Sequence, residues 1–156
     1  MKRIKTIDFS LFKDGLKDLI EKKSLVGIEN VLDRYYYTSL ILFSKTLPKE
    51  GALFRNFLLK EVEILNIMTI LRLKKAKFGK DVIKNFIIPS GDKLKDSKIM
   101  SLMNFDDFGQ LSKALEKTEY KNIIANGIEE AKRNNSLITL ETELYKYLLR
   151  QSILFM

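Results

Sequence analysis

Between Gly51 and Gly79 the sequence keeps a helical period with no proline to break it, and that stretch sets what the chain can fold into. Leu53, Phe57, Val62, Leu65, Met68, Thr69 and Arg72 fall on successive turns. A helix over about 51–78 is therefore predicted, roughly 40 Å long at about 1.5 Å per residue. The rest of the chain has the same character. Only 2 prolines and 7 glycines interrupt 156 residues, a composition for long regular elements joined by few loops. The expected fold class is all-α, with a core that buries about two-thirds of the surface an unfolded chain of this length exposes.

Upstream, a short amphipathic helix is predicted over about 10–23, with Leu11, Leu16, Leu19 and Ile20 on one face and Ser24 as the break. A second helix follows over about 25–47, carrying Ile28, Val31, Leu32, Tyr35, Tyr36, Ile41 and Leu42, until Pro48 stops it. Around Tyr35 to Phe43 it is apolar on nearly every side, which predicts packing between several neighbours. Tyr35, Tyr36 and Tyr37 could stack on bases, but on so apolar a helix they read as core. Downstream of the long helix, Lys74, Lys75 and Lys77 complement the carbonyl end of the helix dipole, with Gly79 the expected C-cap. A short helix over 80–86 should run into Ile87-Ile88-Pro89-Ser90-Gly91-Asp92, a tight turn. Further helices are predicted over about 97–103, 106–116, 118–134 and from 138 onward, with Asn104 and Asp107 resembling a capping pair. The last stops while still apolar, at Ile153-Leu154-Phe155-Met156, as though cut inside a structural unit.

An internal repeat organises these elements. Residues 13–35 lie on residues 125–147 without a gap. Gly15 pairs with Gly127, Ser24 with Ser136, Leu25 with Leu137, Glu29 with Glu141, Leu32 with Leu144 and Tyr35 with Tyr147, always 112 positions apart. Leu16 with Ile128, Val26 with Ile138, Ile28 with Leu140 and Arg34 with Lys146 are conservative pairs. Residues 1–23 then read as the end of one repeat, 24–135 as a complete repeat of about 110 residues, and 136–156 as the start of another. Each unit would bury its remaining faces against a neighbour.

Several chemistries are excluded by residues the chain lacks. Without Cys or His it can form no disulfide, thiolate or imidazole metal site, or Ser-His-Asp triad. No Gly-x-x-x-x-Gly-Lys-Ser/Thr loop is present, and no catalytic, cofactor-binding or metal residues are expected. Glu61 and Glu63 stand two positions apart on a helix and point about 200° from one another, so they cannot act as a pair. Glu61 is expected on the solvated face and Glu63 near a helix neighbour. Asn66, amid apolar residues, is expected to satisfy a buried polar group. The longest uncharged stretch before the C-terminus, Tyr35 to Ser44, is ten residues, too short to span a bilayer. The basic start of the chain is followed by no apolar core of an export signal, so a cytoplasmic location is expected.

The net charge of +8 favours an anionic partner, whether nucleic acid, anionic lipid or an acidic protein surface. Of the 28 basic residues 22 are Lys and 6 are Arg, so the better reader of bases and phosphates is not enriched. A basic helical adaptor for nucleic acid nevertheless stands as the alternative function. Lys74, Lys75, Lys77, Lys80 and Lys84 are the candidate partner-binding residues, facing anionic headgroups or an acidic loop.

Glu61-Val62-Glu63-Ile64-Leu65-Asn66-Ile67-Met68-Thr69-Ile70-Leu71-Arg72-Leu73-Lys74, then Gly79 and Phe86-Ile87-Ile88-Pro89-Ser90-Gly91, resembles the C subunit of the archaeal and bacterial A/V-type rotary ATPases, the counterpart of the d subunit of the vacuolar enzymes. Leu32-Asp33-Arg34-Tyr35-Tyr36 resembles that family's Leu-Asp-Arg-x-Tyr helix. Glu61, Glu63, Asn66, Arg72, Lys74, Gly79, Pro89 and Gly91 carry the resemblance as structural positions; Glu63 stands where the family usually has Asp, and Ser90 where it usually has Gly. The family protein is more than twice as long, with three homologous helical domains forming a funnel, so this chain would cover about one and a half units, as a fragment or as part of a shortened or split protein. The resemblance implies a non-catalytic rotor part. It would sit peripherally on the membrane proteolipid ring, receive the axle formed by the D and F subunits, transmit torque, and need no cofactor or nucleic acid.

Overall fold

The computed structural model describes residues 25–90, 93–105, 108–134 and 136–154, with positions 13, 17, 20 and 21 in addition. The helix expected over 10–23, the pairing of Gly15 and Ser24, and the roles of Gly91, Asp92 and Asp107 lie outside the described residues. Within them run seven helices: α1 (Val26–Ser44), α2 (Lys49–Lys75), α3 (Lys80–Phe86), α4 (Lys93–Leu102), α5 (Phe108–Leu115), α6 (Lys121–Asn134) and α7 (Ile138–Leu154). No strand occurs among the described residues. Nor is any described helix long and apolar enough to cross a membrane.

The 27-residue α2 is the hub. It packs against α1, α3, α4, α5 and α7, while α6 bridges α5 and α7. Between Val62 and Leu71 it is buried on nearly every side, with Val62, Ile64, Asn66, Ile67, Met68, Ile70 and Leu71 all inside. The single face expected from the sequence period is therefore only part of its contact surface. Leu53 and Arg72 turn outward, while Ile64, Ile67 and Ile70 fill positions between the predicted turns. A central helix needs no polar face along its buried length, which is why its apolar residues are spread around the circumference.

Two apolar clusters flank α2. The larger gathers Ile64, Ile67, Leu71, Ile83, Ile87 and residues of α4 to α7; the smaller holds Ile41, Leu58, Val62 and Ile88 between α1 and α2. Leaving α3, the chain turns extended at Ile87, φ −76° and ψ 129°. Successive side chains of an extended segment point to opposite sides, so Ile87 enters the larger cluster and its neighbour Ile88 the smaller.

The packing of α1 departs from the sequence expectation. Only Ile41 and Ser44 are fully buried on it, and Leu25, Leu32, Tyr36, Leu42 and Phe43 are exposed. It lies on α2 by one face, where Tyr37 and Leu40 are half-buried against the smaller cluster. Tyr36 is therefore not core, although its ring meets Tyr37 edge to face at 5.1 Å. The repeat pairs also differ in setting: Leu137 and Leu144 are buried where Leu25 and Leu32 are open. The cause is α6, which covers α7 along that face, whereas no described residue covers the matching face of α1.

At Gly127 the two helices of that α6–α7 hairpin come unusually close. A Cβ built there would lie 2.7 Å from Leu140 Cδ1, 2.9 Å from its Cβ and 3.0 Å from its Cα. Alanine at this position would gain about 1 kcal/mol in helix propensity. It would also force apart atoms on or next to the backbone, at a cost of about 1–3 kcal/mol. Gly127→Ala should therefore lower stability by up to about 2 kcal/mol in urea denaturation. A raised midpoint would contradict the close approach.

Candidate functional site

The helix carrying the sequence motif is held at its centre by one side chain. Asn66 is 2% exposed and lies against the extended segment. Its Nδ2 donates to the Ile88 carbonyl at 2.8 Å, and the Ile88 amide donates to its Oδ1 at 2.9 Å. The carboxamide thus does for Ile88 what a neighbouring strand would do, satisfying both backbone polar groups of one buried residue. Pro89, exposed, brings no N–H that would need a partner. Beyond it, the Ser90 amide and hydroxyl both donate to Asp96 Oδ1, at 2.9 and 2.7 Å, tying the segment to the first turn of α4.

The two motif glutamates face opposite neighbours. Glu61 is half-buried, not on the solvated face expected from sequence, because α1 covers it and the Tyr37 hydroxyl donates to its Oε1 at 3.2 Å. Burial pushes the Glu61 carboxyl up, with the Tyr37 hydrogen bond working against it, and burial also raises the Tyr37 hydroxyl, reinforced by the Glu61 charge. Glu63 accepts from Lys60 at 3.1 Å, and Lys60 also reaches Glu119, which in turn accepts from the Tyr147 hydroxyl. The Lys60 ammonium lies 5.4 Å from the centroid of Tyr120, whose ring meets Tyr147 edge to face. Burial alone would push Lys60 down, but its hydrogen bonds to Glu119 and Glu63 outweigh it and hold the ammonium above its ordinary value. For Glu119 burial acts upward, and Lys60 and Tyr147 together bring the carboxyl below its ordinary value.

Lys60, Glu119, Tyr120 and Tyr147 were not singled out from the sequence. Lys60 and Glu119 are 59 positions apart and no periodicity links them; the pairing of Tyr147 with Tyr35 across the repeat was the one available signal. Two further braces leave the same helices. Arg72 Nε donates to Glu141 of α7 at 2.7 Å, and that carboxylate keeps the guanidinium raised. Asn30 and Arg34 of α1 both donate to the carbonyl of Asn85 near the end of α3, at 2.8 and 3.1 Å.

At the far end of α2 the cap differs from the one expected at Gly79. The Phe78 amide donates to Leu73 O and the Lys77 amide to Lys74 O, both at 2.9 Å, which makes Lys77 the residue that turns the chain out of the helix. It does so with φ 63°, the left-handed region that glycine occupies at no steric cost. Gly79 instead has φ −72° and ψ 162° and precedes α3, with open space where a Cβ would stand. Of the five candidate lysines, Lys74, Lys77 and Lys80 line one cavity, whereas Lys75 and Lys84 do not.

Taken together these contacts define a helical scaffold in which the prominent polar groups tie distant helices to one long strut. The chain belongs to the ATP synthase (C/AC39) subunit family, whose profile matches residues 3–154. Among curated relatives it is 30% identical over 138 residues to the A-type ATP synthase C subunit of Methanosphaera stadtmanae, covering 88% of this chain and 36% of that protein. It is 37% identical over 133 residues to the A-type ATP synthase C subunit of Methanosarcina acetivorans, covering 83% and 35%. The protein of the same name from Methanocaldococcus jannaschii is 27% identical over 143 residues, covering 92% and 36%. The chain thus spans about a third of the length of the curated relatives it matches. No solved structure matches it significantly.

Two outcomes are expected from this geometry. Asn66→Leu leaves a buried donor and a buried acceptor of Ile88 unpaired, at about 1–3 kcal/mol each, so a loss of about 2–6 kcal/mol is expected in urea denaturation. Asn66→Asp keeps an acceptor for the Ile88 amide but sets a carboxylate against its carbonyl, and should be no better. Tolerance of both would show that the contact does not support the core.

The second concerns acid. A carboxyl held low in the fold contributes stability that is present above its unfolded value and lost as pH falls through its folded value, which is the case for Glu119. Glu61, held high, has the opposite sign and gains from protonation. Glu119→Gln should therefore flatten the loss of stability between about pH 7 and about pH 3.5, and Glu61→Gln should steepen it. Parallel denaturation series at the two pH values check both directions.

Proposed function

We propose that this chain is a non-catalytic rotor element of an A-type ATP synthase, placed on the cytoplasmic face of the membrane between the axle, formed by the D and F subunits, and the proteolipid ring. The observation that carries this reading is the match to the ATP synthase (C/AC39) subunit family over residues 3–154, with curated relatives that are themselves C subunits of A-type ATP synthases. On this reading the chain associates peripherally with the membrane, uses no cofactor, and transmits torque in a complex coupled to H+ or Na+ movement.

The physical properties of the strut support the role. A helix about 40 Å long bends readily when it stands alone, and bends far less when neighbours pin it along its length. Here α2 is pinned by Tyr37 at Glu61, by Ile88 at Asn66, by Glu119 at Lys60 and by Glu141 at Arg72. Torque entering at one end is then carried by the whole bundle. We also propose that 24–135 is one structural repeat, with 1–23 and 136–156 belonging to flanking units, so that α7 is the counterpart of α1 at the 112-residue offset.

The direct test is a pull-down of the chain with the purified D and F axle proteins and with detergent-solubilised ring, beside a duplex and single-stranded nucleic-acid control at moderate salt. Capture of axle or ring with no retention of nucleic acid is expected. Retention of nucleic acid with steep salt dependence, and of neither rotor part, would favour the basic adaptor instead.

A further inference from the structure

Where α2 ends and α3 begins, the chain forms a solvent-open cavity of about 430 Å³ whose lining includes Lys74, Lys77, Phe78, Lys80, Met103 and Asn104. Three lysines line it, and no Asp or Glu among the described residues does. Lys74 and Lys77 make no ion pair among the described residues. Lys80 is oriented by the side-chain oxygen of Asn104 across the mouth. The inner wall is the buried Met103 and the rim is Phe78, 47% exposed. Like charges gathered round one cavity repel each other until an anion enters, and lysine's three donors on a flexible stem suit a phosphate approached from several sides.

A second observation points the same way. Lys77 holds the left-handed position that ends α2, where glycine would relieve the backbone. The chain carries a lysine there, and that lysine lines the cavity. Strain retained at a residue whose side chain faces a concave charged surface is the pattern of a site kept for a ligand.

We infer that the cavity bounded by Lys74, Lys77 and Lys80 binds a phosphate group, supplied either by a soluble phosphate compound or by an anionic phospholipid headgroup. This goes beyond the rotor reading and does not depend on it, because the contacts named belong to this chain alone.

The test exploits the double position of Lys77. Lys77→Gly should raise the thermal midpoint, because it removes the left-handed strain, and should weaken pyrophosphate binding by about tenfold in calorimetric titration, because it removes one charge-assisted contact. Lys80→Gln should weaken binding similarly, whereas Lys84→Gln, outside the cavity, should leave it within about twofold. Co-flotation with vesicles of phosphatidylglycerol in phosphatidylcholine, against phosphatidylcholine alone, distinguishes the sources. Flotation displaced by pyrophosphate assigns a lipid phosphate; pyrophosphate binding without flotation assigns a soluble one. The inference is overturned if Lys77→Gly binds as the parent does, if Lys84→Gln weakens binding as much as Lys77→Gly, if poly-glutamate binds as tightly as pyrophosphate, or if neither phosphate probe binds.

Discussion

The rest of this structure depends on one buried amide. Asn66 offers the backbone of Ile88 one acceptor and one donor, and without that pairing an extended segment could not pass beside the middle of a buried helix. The segment has no strand partner among the described residues, so its polar groups must be met by a side chain or by water. Once they are met, Ile87 and Ile88 can face opposite ways and close the two apolar clusters on either side. The larger cluster takes in α4 to α7 and the smaller joins α1 to α2, so the segment held by this contact seals both packing regions beside α2.

Around that centre, the polar side chains that burial has displaced from their ordinary behaviour act mostly as braces between elements far apart in sequence. Lys60, Glu119 and Tyr147 join α2 to the turn before α6 and to α7; Arg72 and Glu141 join α2 to α7 one face further along. Exposed pairs such as Arg72 with Glu141 contribute little, at most about 1 kcal/mol. The half-buried Lys60 cluster is different in kind, since removing one partner leaves another charge short of solvent. The apolar clusters supply most of the stability, and the braces decide how the helices are placed.

Much of this was legible in the sequence. Proline and the helical period located α1, α2, α3, α6 and α7, and the short α3 was bounded by Gly79 and the Ile-Ile-Pro run. Asn66 could be read as satisfying a buried group because an unpaired amide in an apolar helix is too costly to keep. Its partner could not be read, because Ile88 is 22 residues away and no pattern marks which peptide will need it. Glu61 was misplaced for a related reason: its exposure is set by Tyr37, on another helix. The expectation that the segment around Tyr35 to Phe43 packs between several neighbours is not met among the described residues, because apolar content shows a preference for cover without showing that those residues supply it. At the end of α2, glycine preference pointed to Gly79, while the left-handed turn falls on Lys77, two residues earlier.

Apolar packing alone would leave the strut free to slip. Isoleucine and leucine side chains on adjacent helices can exchange neighbours at a modest cost, since cores tolerate rearrangement when total volume is kept. A two-point hydrogen bond cannot slip in this way. If α2 moved by one turn, about 5.4 Å, against the extended segment, both bonds of Asn66 would break and the backbone N–H and C=O of Ile88 would be left buried without partners. The amide therefore contributes register more than it contributes net energy, in the way a single polar residue fixes the alignment of a coiled coil. Under the proposed rotor role, resistance to sliding would matter more than added stability, and a two-point contact of this kind supplies it.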